Sequence, residues 1–322
     1  MDQRPVGVFD SGVGGLTAVR ELRNLLPSEN IIYFGDTSRV PYGGRSEEIL
    51  LKYARQDVHF LRSFDIKAIL VACGTVSTTC LPKLQRENNL PILGVVEPAC
   101  RRAVELTKNK RVGLIATAAS VRSGAYETSV AGMDPSVEVV AKACPLFVPL
   151  VENGRYKPGD VVIETVAREY LSSMQEAGVD TLILGCTHYP LLMEVIGQVM
   201  GPEVTLINAG AEAARSMRQA LHSGGMLAEG RTGDATLYAS DQPSDFGTMA
   251  RQFLQEELTK PVLPVDIDRY EGERYGRNRT DPGGQPQRVR RRGGCDPNGG
   301  HRLYRENRVW LAPELRGREL RG

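Results

Sequence analysis

The stretch KAILVACGTVST, residues 67–78, decides how the chain is read. An apolar, β-branched run ends in Cys73 and passes into small and hydroxylated residues that open a helix. DTLILGCTHYPLL, residues 180–192, repeats the plan around Cys186. The end of a buried strand, where a helix begins, is where open α/β sheets bind ligands. Helix N–H groups and a partial positive charge point at whatever lies there. A thiol in that position has its thiolate favoured. Two such thiols in matched contexts predict a two-thiol site.

Outward from these stretches the same plan recurs. VGVF, from Val6, is a short buried strand, DSGVGG a Gly-rich turn and LTAVRELRNLL a helix. The turn is not the GxGxxG of a dinucleotide fold, because Asp10 and Ser11 fill its start. IIYF is a second strand, followed by a loop rich in Gly, Pro and Tyr. A helix is expected from Ser46, its cap, to about Phe64, with Glu47 and Glu48 in its first turn. PILGVVEP reads as a further strand, RVGLIAT as another, and Ser120 to about Val130 as a helix of weaker period. VEVVAKAC reads as a strand, PLFVPLVENG as a loop carrying Glu152, and Asp160 to Ala177 as an amphipathic helix. After the Cys186 segment come a helix to Met200, the strand VTLIN, the helix AEAARSMRQAL, the strand ATLYAS and the helix DFGTMARQFL.

An internal repeat lies within this order. GVFDS at Gly7 matches GLIAT at Gly113, and ILVACGT at Ile69 matches LILGCTH at Leu182. A doubled unit puts both cysteines at equivalent sites. If the halves face each other across a pseudo-twofold axis, the thiols share one cleft. The expected fold class is α/β: two pseudo-symmetric domains with largely parallel sheets and the site between them. The first domain takes residues 1–98 plus 209–270 and the second takes 99–208.

Composition is that of a soluble globular protein, with 41% hydrophobic and 25% charged residues. No apolar run is long enough to span a bilayer, and MDQRPVGVFD is not a signal peptide. A cytoplasmic location is therefore expected, with no membrane partner. The six cysteines show neither zinc-type spacing nor a CxxC, so free thiols are expected and no metal or other cofactor is called for. The net charge of +1 conceals an asymmetry: residues 271–322 hold thirteen Arg and seven acids, a net of +6, which leaves the rest at −5. This Gly-, Pro- and Arg-rich tail has almost no apolar period and is expected to be disordered. Its basic run is the only route to nucleic acid, and a plain solvated extension is the favoured reading.

Two thiols on opposite sides of a bound molecule can invert a stereocentre. The thiolate removes a proton from one face of a carbon, and the other thiol delivers one to the opposite face. Cysteine suits this work because its reference pKa of about 8.5 keeps both forms within reach. The α-proton of an amino acid is a very weak acid, so helix N-termini must hold the carboxylate and take up developing charge. Each thiol also needs a neighbour to manage its proton. His188 serves Cys186, Asp10 serves Cys73, and Glu152 assists His188 or the substrate ammonium. Each has a plainer reading as well: Asp10 as a helix cap, His188 as a structural histidine, Glu152 as a solvated loop residue. Ser11, Thr75, Thr117 and Thr187 sit at strand ends and can donate to a carboxylate or merely cap helices. The VPYGG loop offers Tyr42 and the Gly43 amide.

FDSGVGGLT, GDTSRVPYGGRS, ACGTVST, the LVENG loop and GCTHYPLL together resemble the glutamate racemases of the cofactor-independent aspartate/glutamate racemase superfamily, from about Gly7 to Tyr270. The resemblance implies Cys73 and Cys186 as the proton donor and acceptor pair, assisted by Asp10, Glu152 and His188. It implies substrate contacts from Asp10, Ser11, Tyr42, Gly43, Gly74, Thr75, Thr187 and His188. It further implies glutamate as substrate, D-glutamate supply for peptidoglycan, and a homodimer. Gly74 departs from the family, which usually carries Asn there. Racemisation of aspartate or another amino acid is the near alternative. A decarboxylase needs only one of the two cysteines, and a binding protein that has lost catalysis needs neither.

Overall fold

The computed structural model describes residues 1–271. The expectation of a disordered basic tail falls on residues 272–322 and lies outside the described residues.

The chain runs β1 Val6–Asp10, α1 Leu16–Leu25, β2 Ile31–Gly35, α2 Glu47–Arg62, β3 Ala68–Val71, α3 Gly74–Thr79, α4 Leu81–Glu87, β4 Ile92–Leu93 and α5 Val96–Leu106. It continues with β5 Arg111–Ala116, α6 Ala118–Ser123, α7 Ala125–Met133, β6 Glu138–Ala143, α8 Phe147–Glu152, α9 Val161–Glu176, β7 Thr181–Leu184, α10 Met193–Met200 and β8 Thr205–Asn208. It closes with α11 Ala209–Ser223, β9 Ala235–Ala239, α12 Pro243–Leu254 and β10 Leu263–Pro264.

Two sheets result, and every pairing in them is parallel. One has the order β10-β9-β2-β1-β3-β4, the other β6-β5-β7-β8. The order β2-β1-β3-β4 in the first is the order β6-β5-β7-β8 in the second. Register repeats too. Gly7 pairs with Ile32 on one side and Ile69 on the other, and Gly113 pairs with Val140 and Leu182. The internal repeat is therefore a repeat of topology. It brings β3 and β7, the strands that lead to Cys73 and Cys186, to equivalent positions.

Parallel strands covered on both faces read as uninterrupted apolar runs. β1, β3 and β7 are buried along their whole length. Ser46 caps α2 by accepting the Ile49 N–H, and Glu47 and Glu48 occupy its first turn, as the sequence required.

The structure corrects three local expectations. PILGVVEP is not one strand: only Ile92–Leu93 pair, and Val96-Glu97-Pro98 begin α5. Proline is tolerated there because first-turn N–H groups have no helical partner. PLFVPLVENG is not a loop throughout: Phe147 and Val151, four residues apart and fully buried, fix the one-and-a-half-turn helix α8. The helix expected from Ser120 is two, divided by Gly124 at φ +63°. That left-handed conformation suits glycine at a helix end.

Candidate active site

Asp10 ends β1 with 1% of its surface exposed and accepts the Gly15 N–H at 2.8 Å. Burial raises its carboxyl pKa, against the opposing pull of His188 and the N–H groups of Gly15, Ser11 and Gly12. Cys73 follows β3 and caps α3. Burial and then the Asp10 charge push its thiol far up, so it carries its proton at neutral pH. The Val76 N–H and the hydroxyl and N–H of Ser11 pull the other way by bonding the sulfur. Burial thus outweighs the helix terminus that the sequence reading expected to favour a thiolate here.

The Cys186 side is built differently. No α-helix opens at this cysteine. A 3-10 turn spans Tyr189–Leu192, with Pro190 in it, and α10 starts only at Met193. A histidine stands where the helix N-terminus was expected. His188 Nδ1 is 3.9 Å from Cys186 Sγ and 3.4 Å from Thr187 Oγ1, and Nε2 is 2.9 Å from Glu152 Oε1 at the end of α8. Burial alone lowers the imidazole pKa, but the bonds to Cys186 and Glu152 outweigh it and push it up to about 10. At neutral pH the ring is an imidazolium held between a sulfur and a carboxylate. The two thiols are therefore unequal: Cys73 is protonated, while Cys186 faces a cation.

Both lie at one junction. A Cβ on Gly74 would stand 2.6 Å from the carbonyl oxygen of Gly185. The residue after Cys73 thus touches the residue before Cys186. Two hydroxyls meet across the same seam: Thr75 Oγ1 is 3.1 Å from Thr117 Oγ1, the residue that caps α6. Gly43 stands against Thr117, where a Cβ would lie 3.6 Å from the threonine Cβ. Gly74, Gly185, Cys186 and Thr187 also line one small cavity with Thr17 and Ala72.

The Tyr42 hydroxyl donates to Asp36 and stands 3.3 Å from Asp57, both fully buried. Arg39 completes the cluster, with Nε 2.6 Å from Asp36 and Nη2 3.1 Å from Asp57. Burial and the neighbouring Asp36 push the Asp57 carboxyl well above its usual range. The side chain of Tyr42 anchors its loop.

Two residues of the site went unread. Thr17 donates to the Thr187 carbonyl at 2.9 Å, tying α1 to the Cys186 loop. A Cβ on Gly14 would lie 2.3 Å from Thr187 Oγ1 and 2.5 Å from His188 Nδ1. The glycines of DSGVGG were read as turn formers. Nothing in local sequence shows that one of them admits a histidine from 174 residues away.

Among the described residues, no three His, Cys, Asp or Glu side chains are grouped to hold a metal ion. No described helix is long and apolar enough to cross a membrane. Two thiols, an imidazole and two carboxyl groups gather near one junction, and all are groups able to take up or release protons. The family model for Asp/Glu/hydantoin racemases matches residues 19–217, and the chain belongs to that family. It is 46% identical over 259 residues to a glutamate racemase of Geobacter metallireducens, covering 80% of this chain and 95% of the relative. The crystal structure of a Francisella tularensis glutamate racemase in complex with D-glutamate matches at a TM-score of 0.77 and 36% identity, covering 84% of this chain and 100% of the other. That of a Thermus thermophilus glutamate racemase with β-chloro-D-alanine matches at 0.74 and 43%, covering 82% and 98%. The glutamate racemase resemblance read from the motifs is thus matched by sequence relatives and by fold.

Proposed function

We propose that this racemase interconverts L- and D-glutamate by proton transfer between Cys73 and Cys186, without a cofactor. The observation that carries the reading is the Gly74–Gly185 contact, which brings equivalent strand ends of the two sheets, and a cysteine on each, to one place. Cys186, as thiolate beside the His188 imidazolium, takes the α-proton from one face and becomes a thiol. The electron pair stays on Cα and the carboxylate. Cys73 then gives its S–H proton to the opposite face and is left a thiolate. The reverse reaction runs the same steps from the other side. His188, oriented by Glu152, manages the proton of Cys186, and Asp10 does so for Cys73. Ser11, Thr75, Thr117, Thr187 and the amides at Gly43 and Gly74 receive the substrate.

Glutamate, rather than aspartate, is favoured because relatives 46% and 41% identical over most of the chain are named for glutamate. Supply of D-glutamate for peptidoglycan, a cytoplasmic setting and a homodimer belong to the same reading. So does a division into domains of residues 1–98 plus 209–270 and 99–208, supported by the membership of the two sheets. The test is circular dichroism of L-glutamate incubated with the purified chain and no additive. The signal is expected to decay to zero. An unchanged signal with glutamate retained by the protein would make it a binding homologue, and decay with aspartate alone would move the substrate.

The raised His188 pKa gives a pH prediction. Its proton is present throughout neutral pH and lost as pH passes about 10. The rate should hold on the alkaline side until that region and then fall. Glu152→Gln replaces the carboxylate at Nε2 with a neutral amide and so removes a charge that raises the pKa, and its falling limb moves to lower pH. Folding linkage has the same sign. The folded value exceeds the free imidazole's 6.5, so the stabilisation from this group is complete below 6.5 and is lost as pH rises toward 10. Rate and thermal-melt profiles of the two proteins check both statements.

A further inference from the structure

We propose that α12 positions the proton-handling side of Cys186, with Phe253 and Gln252 as its positioning residues. The proposal rests on the two-thiol reading above. The helix follows β9 of the first sheet, yet its last turn reaches a residue that serves the second. The Phe253 ring packs edge to face against the His188 imidazole, with centroids 5.2 Å apart and planes at 85°. Phe253 is fully buried, so the contact is continuous with the core. One residue earlier, the Gln252 side-chain amide donates to the Val151 carbonyl at 3.2 Å. Val151 precedes Glu152 on the short helix α8. One turn of α12 therefore touches the histidine and the backbone beside its carboxylate partner.

The imidazole is boxed on every named side. Glu152 holds Nε2, Cys186 lies 3.9 Å from Nδ1, Gly14 gives up its Cβ space beside Nδ1, and Phe253 closes against the ring. An isolated imidazole rotates about its last side-chain bond among broad minima. Rotation here would swing Nδ1 off the sulfur and Nε2 off the carboxylate together. Proton transfer demands such placement, since a misplacement of about 1 Å can cost on the order of a hundredfold in rate. The ring contact sets the plane of the imidazole, and the amide bond keeps α8 from drifting with Glu152. The ring contact of Phe253 and the hydrogen bond of Gln252 both go to the Cys186 side, to His188 and Val151.

That asymmetry supplies the test. Total racemisation cannot separate the two sides, because both directions need both thiols. Exchange of the α-proton in deuterated water can. Cys73→Ser leaves only Cys186 to exchange one enantiomer of glutamate, and Cys186→Ser leaves only Cys73 to exchange the other. Phe253→Leu is expected to lower α-deuteration at least tenfold in the Cys73→Ser background and less than twofold in the Cys186→Ser background. Gln252→Ala, which leaves the core untouched, is expected to give a smaller loss on the Cys186 side alone, about threefold. Proton NMR of the α-position reads both. An equal loss on both sides, or none on the Cys186 side with either variant, overturns the positioning role. If the parent cysteine variants fail to deuterate opposite enantiomers, the two-thiol reading itself falls and takes this proposal with it.

Discussion

Cys73→Ser and Cys186→Ser are each expected to lower racemisation by at least about a thousandfold, which corresponds to about 4 kcal/mol of barrier. The cause is acidity. A serine hydroxyl is a far weaker acid than a thiol, so it neither holds the negative charge that a base requires nor releases a proton readily to a carbanion. The two losses should be alike in size and opposite in face. With Cys186 intact, one enantiomer keeps exchanging its α-proton for solvent deuterium without inverting. With Cys73 intact, the other does. The inequality of the two sites does not alter this expectation. Burial holds the Cys73 proton on, while Cys186 has the His188 cation beside it, so the two cysteines differ in their surroundings. Near wild-type racemisation by either variant would remove that cysteine from the reaction.

How much of this was legible depended on what kind of signal each feature leaves in the chain. The doubled sheet was visible because strands buried on both faces do not alternate: VGVF, AILV and the LIL of β7 are apolar runs, and their order repeats. α5 was hidden because the apolar GVV that runs into its start continues the look of a strand. Its own pattern, with Val96, Ala99, Cys100 and Ala103 buried, has helical spacing and was there to be read. α8 was hidden by Pro149 and by having only six residues. At the site, His188 and Glu152 were named from sequence, but their bond joins positions 36 residues apart and only the fold makes it. The partners of the Tyr42 hydroxyl, Asp36 and Asp57, could not be read, because they are buried acids whose sequence neighbourhood gives no sign of burial. Phe253 looked like one more core residue, and by exposure it is one.

Gly74→Ala is expected to lower kcat/KM by about a hundredfold and to destabilise the fold by about 1–3 kcal/mol, the usual range for overpacking. The new methyl would sit 2.6 Å from the Gly185 carbonyl oxygen, closer than Cβ atoms approach other atoms. Relief by a side-chain rotation is ruled out, because the obstacle is backbone. Nor does that backbone stand free: the Gly185 N–H donates to the Ile115 carbonyl at 2.8 Å, which ties it to β5. Relief therefore means moving the end of β3 away from the end of β7, and those ends carry the two cysteines. Gly132→Ala is the control. Nothing lies within 4 Å of a Cβ placed there, and the residue is inside α7, so alanine should add about 0.4–1 kcal/mol of stability and leave the rate alone. A melting curve and a steady-state assay on the two variants decide the matter. If Gly74→Ala racemised at the wild-type rate, the close seam between the strand ends would be incidental to catalysis.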